Sequence, residues 1–353
     1  TESLGLFRHT HVFTIYDWLK QIYLGDKQPS RNNFDLDFNG YLQEQVRQGA
    51  ITEQQQAQMR RDAAAKVQFE ISNLFQTTHR GVSGRLSTFC PILSEDELFA
   101  PFEKMAVTAA RLEQSLNRIR SLDYSLLYRE VLFSDPEHGI NQEELMKEVL
   151  PDIILLPGVG ARSITWQETS GPRTDTPARI LFPIFITGDL NDQMLLAMGR
   201  YRWEICRRVQ GTYWNDYRVK SLTAEYYDYL QFYKKNKDLS ADAKDKLKAA
   251  LQHARNNFRE VFVADYVNWI KYESQGSFRL NKLTRDILVR YCPFSREVRT
   301  ELNNNPLFQN AFNKLELDNK KNLKRLQAVY RKYEDAGGTI TPELTENMKF
   351  YQM

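Results

Sequence analysis

Residues that interrupt regular backbone are scarce in this chain. Its 16 glycines and 12 prolines make 28 of 353 residues, about 8%, against a usual sum of about 12%. Long stretches without such punctuation do not supply the turns of a many-stranded β fold, and they favour helix. The length fits two or three domains or one large helical body, and it can bury a core without staples. With 42% hydrophobic and 26% charged residues the composition is that of a globular protein. The expected fold is mainly α: a multi-helix bundle with one long heptad-patterned helix and a small β-hairpin or sheet near 152–187.

Periodicity and capping residues place the elements. Val12, Ile15, Leu19 and Ile22 share one stripe of an opening helix from about Leu6 to Leu24, followed by a loop from Gly25 to Asn33. A short helix from Leu36 to Gln48 stops at Gly49, and Thr52 with Gln55 forms a capping box for a longer one carrying Val67, Ile71, Leu74 and Phe75. Ser94 with Glu97 opens the heptad element, in which Leu98, Phe102, Met105, Ala109, Leu112, Leu116 and Ile119 recur at 4,3 spacing. That seam pairs either within the chain or across a homodimer. Asn141 with Glu144 caps a short helix to Val149. Ile153–Leu156, Ser163–Glu168 and Arg179–Ile186 are extended segments separated by turn-rich sequence. Helices are then expected at Leu190–Gln210, Thr223–Lys235, Ser240–Tyr272, Asn281–Arg290, Ser295–Leu302, Pro306–Leu315 and Lys320–Tyr333, with a turn at Asp335–Thr341. Residues 1–150 form a net acidic N-terminal region, with 16 Lys/Arg against 21 Asp/Glu. Residues 151–353 form a basic C-terminal region, with 32 against 24. Such a charge dipole orients an acidic partner towards the second half.

The segment from Gly199 to Lys237 holds ten aromatic residues and nine Lys/Arg but only four Asp/Glu in thirty-nine positions. Aromatic faces between cations bind nucleic acids, phosphorylated ligands or acidic protein surfaces. The same composition describes a buried, tyrosine-rich helical core. On the binding reading, Arg200, Arg207, Arg208, Arg218 and Lys220 beside Tyr213, Trp214 and Tyr217 line a groove that holds phosphates and stacks bases. On the other, Arg200–Glu204–Arg208 is a surface ion-pair ladder. A second candidate is Gly158-Val159-Gly160-Ala161-Arg162, which follows an apolar run as a glycine-rich phosphate loop does, with Arg162 and Arg179 as phosphate partners. It lacks a third glycine and a GK[ST] ending, so a tight β-turn accounts for it equally.

Other constellations are weaker. His9 and His11 share a strand face but splay on a helix, so no metal site is expected. Cys206 beside Arg207 has a cation to activate it but no identifiable base. Glu225 and Asp228 stand at i,i+3 near Asp216, a spacing that permits acid–base chemistry and equally a pair of solvated carboxylates. No HExxH, GxSxG, Walker, HxE…CxxC or kinase pattern is present, and no cofactor is expected. Cys90, Cys206 and Cys292 are odd in number and far apart, which fits buried thiols in a reducing, cytoplasmic setting. No run of eighteen apolar residues and no signal sequence is seen. The chain begins at Thr1 rather than Met, as a fragment with a domain upstream would.

The run Ser221-Leu222-Thr223-Ala224-Glu225-Tyr226-Tyr227-Asp228-Tyr229-Leu230-Gln231-Phe232-Tyr233-Lys234-Lys235-Asn236, with Trp214-Asn215-Asp216 before it and Tyr291-Cys292-Pro293-Phe294-Ser295 after it, resembles uncharacterised C-terminal regions of bacterial proteins. Some of those carry an upstream cyclic-nucleotide-binding domain. The resemblance spans roughly residues 140–310 and brings no site residues. It implies the effector half of a bacterial regulatory protein. The expected function is a non-catalytic regulatory or scaffolding module binding another protein through its basic aromatic half. Nucleic-acid or phosphate-ligand binding and an enzyme of unrecognised family remain open.

Overall fold

The structure, a computed structural model, describes residues 11–81, 106–160, 164–166, 173–186 and 188–353. In chain order its elements are β1 (His11–Thr14), α1 (Ile15–Leu24), α2 (Phe38–Arg47), α3 (Glu53–Met59), α4 (Ala63–Gly81), α5 (Ala109–Leu122), β2 (Tyr128–Asp135), β3 (Ile140–Glu148), β4 (Asp152–Gly160), β5 (Ile164–Trp166) and β6 (Arg179–Ile186). There follow α6 (Leu190–Gln210), α7 (Leu222–Phe232), α8 (Ala241–His253), α9 (Phe258–Lys271), α10 (Lys282–Tyr291), α11 (Arg296–Leu302), α12 (Pro306–Asp335) and α13 (Pro342–Gln352). Thirteen helices against six short strands among the described residues make the chain mainly α. None of these helices is long and apolar enough to cross a membrane. The chain forms two compact units that interleave along the sequence. The first comprises residues 1–113, 151–170 and 177–193; the second comprises 114–150, 171–176 and 194–353.

The first unit is built on a four-stranded sheet in the order β1-β4-β6-β5, with β1, β4 and β6 parallel and β5 antiparallel. Ile153–Leu156 and Ile180–Phe182 are buried runs, as parallel strands covered on both faces require. Helices α1 and α4 cover the sheet, and Trp18, Ile22 and Leu74 pack with Ile154, Leu156 and Leu181. Thr14 ends β1 and caps α1 by accepting from the Asp17 amide, and Gly25, at φ 86°, closes the helix. A satellite cluster of Phe38, Leu42 and Phe69 holds α2 against α4.

The second unit has an aromatic centre. Trp203 of α6, Tyr226 of α7 and Phe262 of α9 meet with ring centroids 5.3–6.2 Å apart. Gly199 permits the close approach of α6 to α9, because a Cβ there would sit 3.3 Å from Val263 Cγ1. Trp269 stacks on Phe294 at 3.8 Å and donates to the Cys292 carbonyl at 2.9 Å. The hairpin β2–β3 lies on α12 and α13 through Ile140, Leu145, Leu326, Tyr330, Tyr333 and Leu344.

Several expectations are corrected. The opening helix gives way to a strand at residues 11–14, because β1 finds a parallel partner in β4 that local periodicity cannot reveal. The segment Asn141–Val149 is strand rather than helix: Glu143, Glu144, Leu145 and Met146 pair across to β2. The β-element near 152–187 is, as expected in one of its two forms, a small sheet, in which β4, β5 and β6 are joined by β1. Of the heptad seam, Leu98, Phe102 and Met105 lie outside the described residues. Ala106 is extended and bridges Phe185, so the helix begins only at Ala109. Leu112, Leu116 and Ile119 are buried by the chain itself. The helix expected over Ser240–Tyr272 breaks into α8 and α9, where Arg255 and Asn256 are left-handed (φ 52° and 59°) and Asn257 caps α9. Conversely, the two helices expected over Pro306–Tyr333 are one, α12. Gly49 and Gly211 stand in the left-handed conformation just past α2 and α6, where helix stops were expected.

Candidate functional site

The basic aromatic segment divides between core and surface. Tyr201, Trp203, Tyr226, Tyr229 and Tyr233 are buried, while Tyr213, Tyr217 and Phe232 are 59%, 73% and 48% exposed. Trp214 is half-buried and packs on Trp203 and Tyr227. The cations are largely engaged. Arg200 binds Glu260 at 3.0 Å, Glu204 binds both Arg207 and Arg259, and Arg218 forks onto Asp216. That fork and the Arg218 amide hold Asp216 at a pKa of about 2. The eight residues named for a groove are therefore not brought together around one cavity; of them, Lys220 alone lines the cleft described below.

The other candidates are placed as follows. Gly158 and Gly160 lie within β4, and a register shift separates Leu156 from Val159; no helix opens there, and Arg162 lies outside the described residues. Arg179 is buried. It donates to Ser30 Oγ and to the Gln28 carbonyl, and its guanidinium lies 4.7 Å from the Trp18 ring centroid. Ser30 in turn donates through its amide and hydroxyl to the buried Glu70, which also accepts from Trp18 Nε1 at 2.7 Å. This satisfied cluster pins the 28–30 segment rather than presenting a phosphate site. His11 lies on β1, and His9 and Cys90 lie outside the described residues. Among the described residues no group of His, Cys, Asp and Glu is arranged to hold a metal ion. Glu225 is engaged by Arg290 at 2.6 and 2.7 Å and by the Tyr291 hydroxyl at 2.6 Å. Burial, with Glu130 nearby, pushes the Cys206 thiol up, the wrong direction for a nucleophile at neutral pH.

The second unit contains a cleft of about 820 Å³. Its walls are α10, which contributes Lys282, Asp286 and Arg290, and α12, which contributes Asn310, Lys314, Asp318, Asn319, Lys321 and Asn322. The spacings 282, 286, 290 and 310, 314, 318 put these side chains on one face of each helix. Lys220 and Ser221 close the rim, and Ile205 and Cys206 of α6 form part of the floor. At the far end Phe350 contacts Tyr124 and Tyr128, with centroids 5.4 and 4.9 Å apart. Burial raises the Tyr124 hydroxyl to about 12, so it stays a neutral donor. Seven Lys/Arg and three Asp/Glu line the cleft, so its potential is positive.

Arg202 fixes the floor. Its guanidinium donates to the carbonyls of Ser125, Leu126 and Tyr291 and to Ser125 Oγ at 2.9 Å. Asp123, fully buried, accepts from Ser125 and from Tyr266 at 2.8 Å. This network ties α6 to the segments at either side of the cleft. Sequence reading missed Arg202, Lys282, Arg290 and Lys314. The i,i+4,i+8 run Lys282–Asp286–Arg290 was a legible sign of a charged helix face, but nothing local says that a second such face stands opposite it.

A family profile described as a domain of unknown function (DUF8509) matches residues 211–351. That span includes α7 to α13 and both cleft helices, but not β2, β3 or α6. No curated protein and no solved structure matches the chain.

Proposed function

We propose that the chain is a non-catalytic regulatory or scaffolding module of a bacterial protein, and that its second unit recognises an anionic partner in the cationic cleft. The carrying observation is the lining itself, seven cations against three carboxylates around about 820 Å³. Lys220 and Lys314 enter no ion pair among the described residues, so their charge is available to a partner. The commitment of Glu225 to Arg290 and Tyr291 supports binding over acid–base chemistry, since a general base needs a free lone pair aimed at substrate. On this reading the recognition surface is the cationic faces of α10 and α12 rather than the 200–220 segment.

The test is affinity for a fluorescent polyanion across a salt series. Binding that weakens steeply between 50 and 200 mM salt, and that is lost in Lys220→Glu/Lys314→Glu, supports the reading. Salt-independent binding, or full retention in that variant, contradicts it.

A further inference from the structure

The cleft has two chemically different ends, and their order follows α12. Lys314 lies in the first half of that helix, which packs on α10 with its Lys282 and Arg290. Asn319 and Asn322 lie further along. Asn319 hydrogen-bonds the Tyr124 hydroxyl, and the Tyr124 ring contacts Phe350. Cations and amides alternate along α12, as Asn310, Lys314, Asn319, Lys321 and Asn322, and what sets the later part apart is the aromatic cluster of Tyr124, Tyr128 and Phe350.

Size and charge narrow the ligand. About 820 Å³ falls within the range of small-molecule sites, roughly 300–1,000 Å³. Of the outer lining cations, Lys282 pairs with Asp286, Lys321 with Asp318 and Arg290 with Glu225, which leaves the exposed Lys220 and Lys314 outside any ion pair among the described residues, with Glu130 also in the lining. Those two unpaired ammonium groups suit a phosphate monoester, which carries about −1.5 to −2 at neutral pH. A bare phosphate ion would leave most of the volume and the whole aromatic end unused.

Resting on the reading of the cleft as the recognition site, we propose that its ligand is a small organic phosphate. The phosphoryl group sits against Lys220, Lys282 and Lys314, and a ring-bearing or otherwise extended body lies towards Tyr124, Tyr128 and Phe350. Arg290 joins the phosphoryl group only by exchanging it for Glu225, which makes Glu225 a competitor for the ligand's anion.

Isothermal titration calorimetry on the full chain at low salt tests this with defined probes: inorganic phosphate, nucleoside 5′-monophosphates, hexose phosphates, an unphosphorylated nucleoside and a poly-glutamate peptide. One class of organic phosphate is expected to bind at least about tenfold tighter than inorganic phosphate and than its unphosphorylated counterpart. The nucleotide and sugar arms say which body the aromatic end accepts. Lys220→Ala/Lys314→Ala, both exposed and therefore neutral to the fold, should weaken that binding about tenfold or more with an unchanged melting temperature. If the organic phosphates bind no better than inorganic phosphate while poly-glutamate binds and is lost in the lysine variant, the phosphate assignment is overturned and the cleft reading stands. If no anion binds, both fall.

Discussion

Glu273 shows how far a charged residue in this chain can be from the surface. It is fully buried, and its carboxylate accepts from the Arg279 and Leu280 amides at 2.6 and 2.8 Å and from Arg285 Nε at 2.8 Å. Removing one partner of such a pair leaves an uncompensated charge in a low-dielectric interior. Glu273→Ala should therefore cost about 3–5 kcal/mol, read as a lower denaturation midpoint at unchanged m-value; a loss under about 1 kcal/mol would show that the site is hydrated. Asp265 is a different case. Burial raises its pKa from 3.8 to about 6, against the opposing donation from Tyr226. A folded-state pKa above the unfolded one means that the stabilising protonation is in place below about pH 4 and is lost as pH rises through about 6. The native chain should lose up to about 3 kcal/mol of stability across that window, and Asp265→Asn should flatten the profile. Parallel pH profiles for the two proteins would contradict the assignment. Neither residue stands out in sequence, because nothing near Glu273 announces that its partner lies twelve positions on, across a turn.

At the scale of elements, helix caps were legible and pairing partners were not. The Thr52–Gln55 capping box, the stops at Gly49 and Gly211 and the caps at Ser240 and Asn281 depend on residues within four positions of each other. The strands β1, β2 and β3 depend on partners elsewhere in the chain, and the segments of β1 and β3 are expected as helix because their local patterns permit it. The fusion of α12 has the same origin. Its 30 residues stay helical because one stripe, Phe308, Phe312, Leu315, Leu326, Tyr330 and Tyr333, is buried along its length. Leu326, fully buried between α12, α13 and the hairpin, should cost about 2–5 kcal/mol on change to Ala, with exchange of the β2–β3 amides rising in step. Destabilisation without loosening of the hairpin would mean that α12 does not hold it. Gly338 has a similar local role. A Cβ there would meet the Tyr333 ring at 2.4 Å, so Gly338→Ala should force that ring, and its hydrogen bond to Asp135, out of place.

For the whole molecule, the mainly helical class was readable from sparse glycine and proline, and the cleft was not readable at all. Its two walls lie within one stretch, 282–322, but Tyr124, Tyr128, Ile205, Cys206 and Lys220 of its lining come from segments that stand more than sixty positions before it, and no local pattern says that these meet. Composition marked a basic aromatic segment in the second half but could not say that half of its rings form the core. The matched family segment, 211–351, also lacks parts of that core: Trp203, Arg202 and the hairpin lie before it. A fragment 211–353 should accordingly be helical but without a cooperative thermal transition, as Tyr226 and Phe262 lose Trp203. A sharp transition matching that of the full chain would show that this segment folds alone.

The most direct test of the cleft is hydrogen–deuterium exchange on the full chain with and without the tightest-binding anion. Protection should concentrate in 282–291 and 310–322, with smaller effects near 220 and 350. Protection confined to the exposed 211–218 segment, or spread evenly over the second unit, would contradict recognition by the faces of α10 and α12.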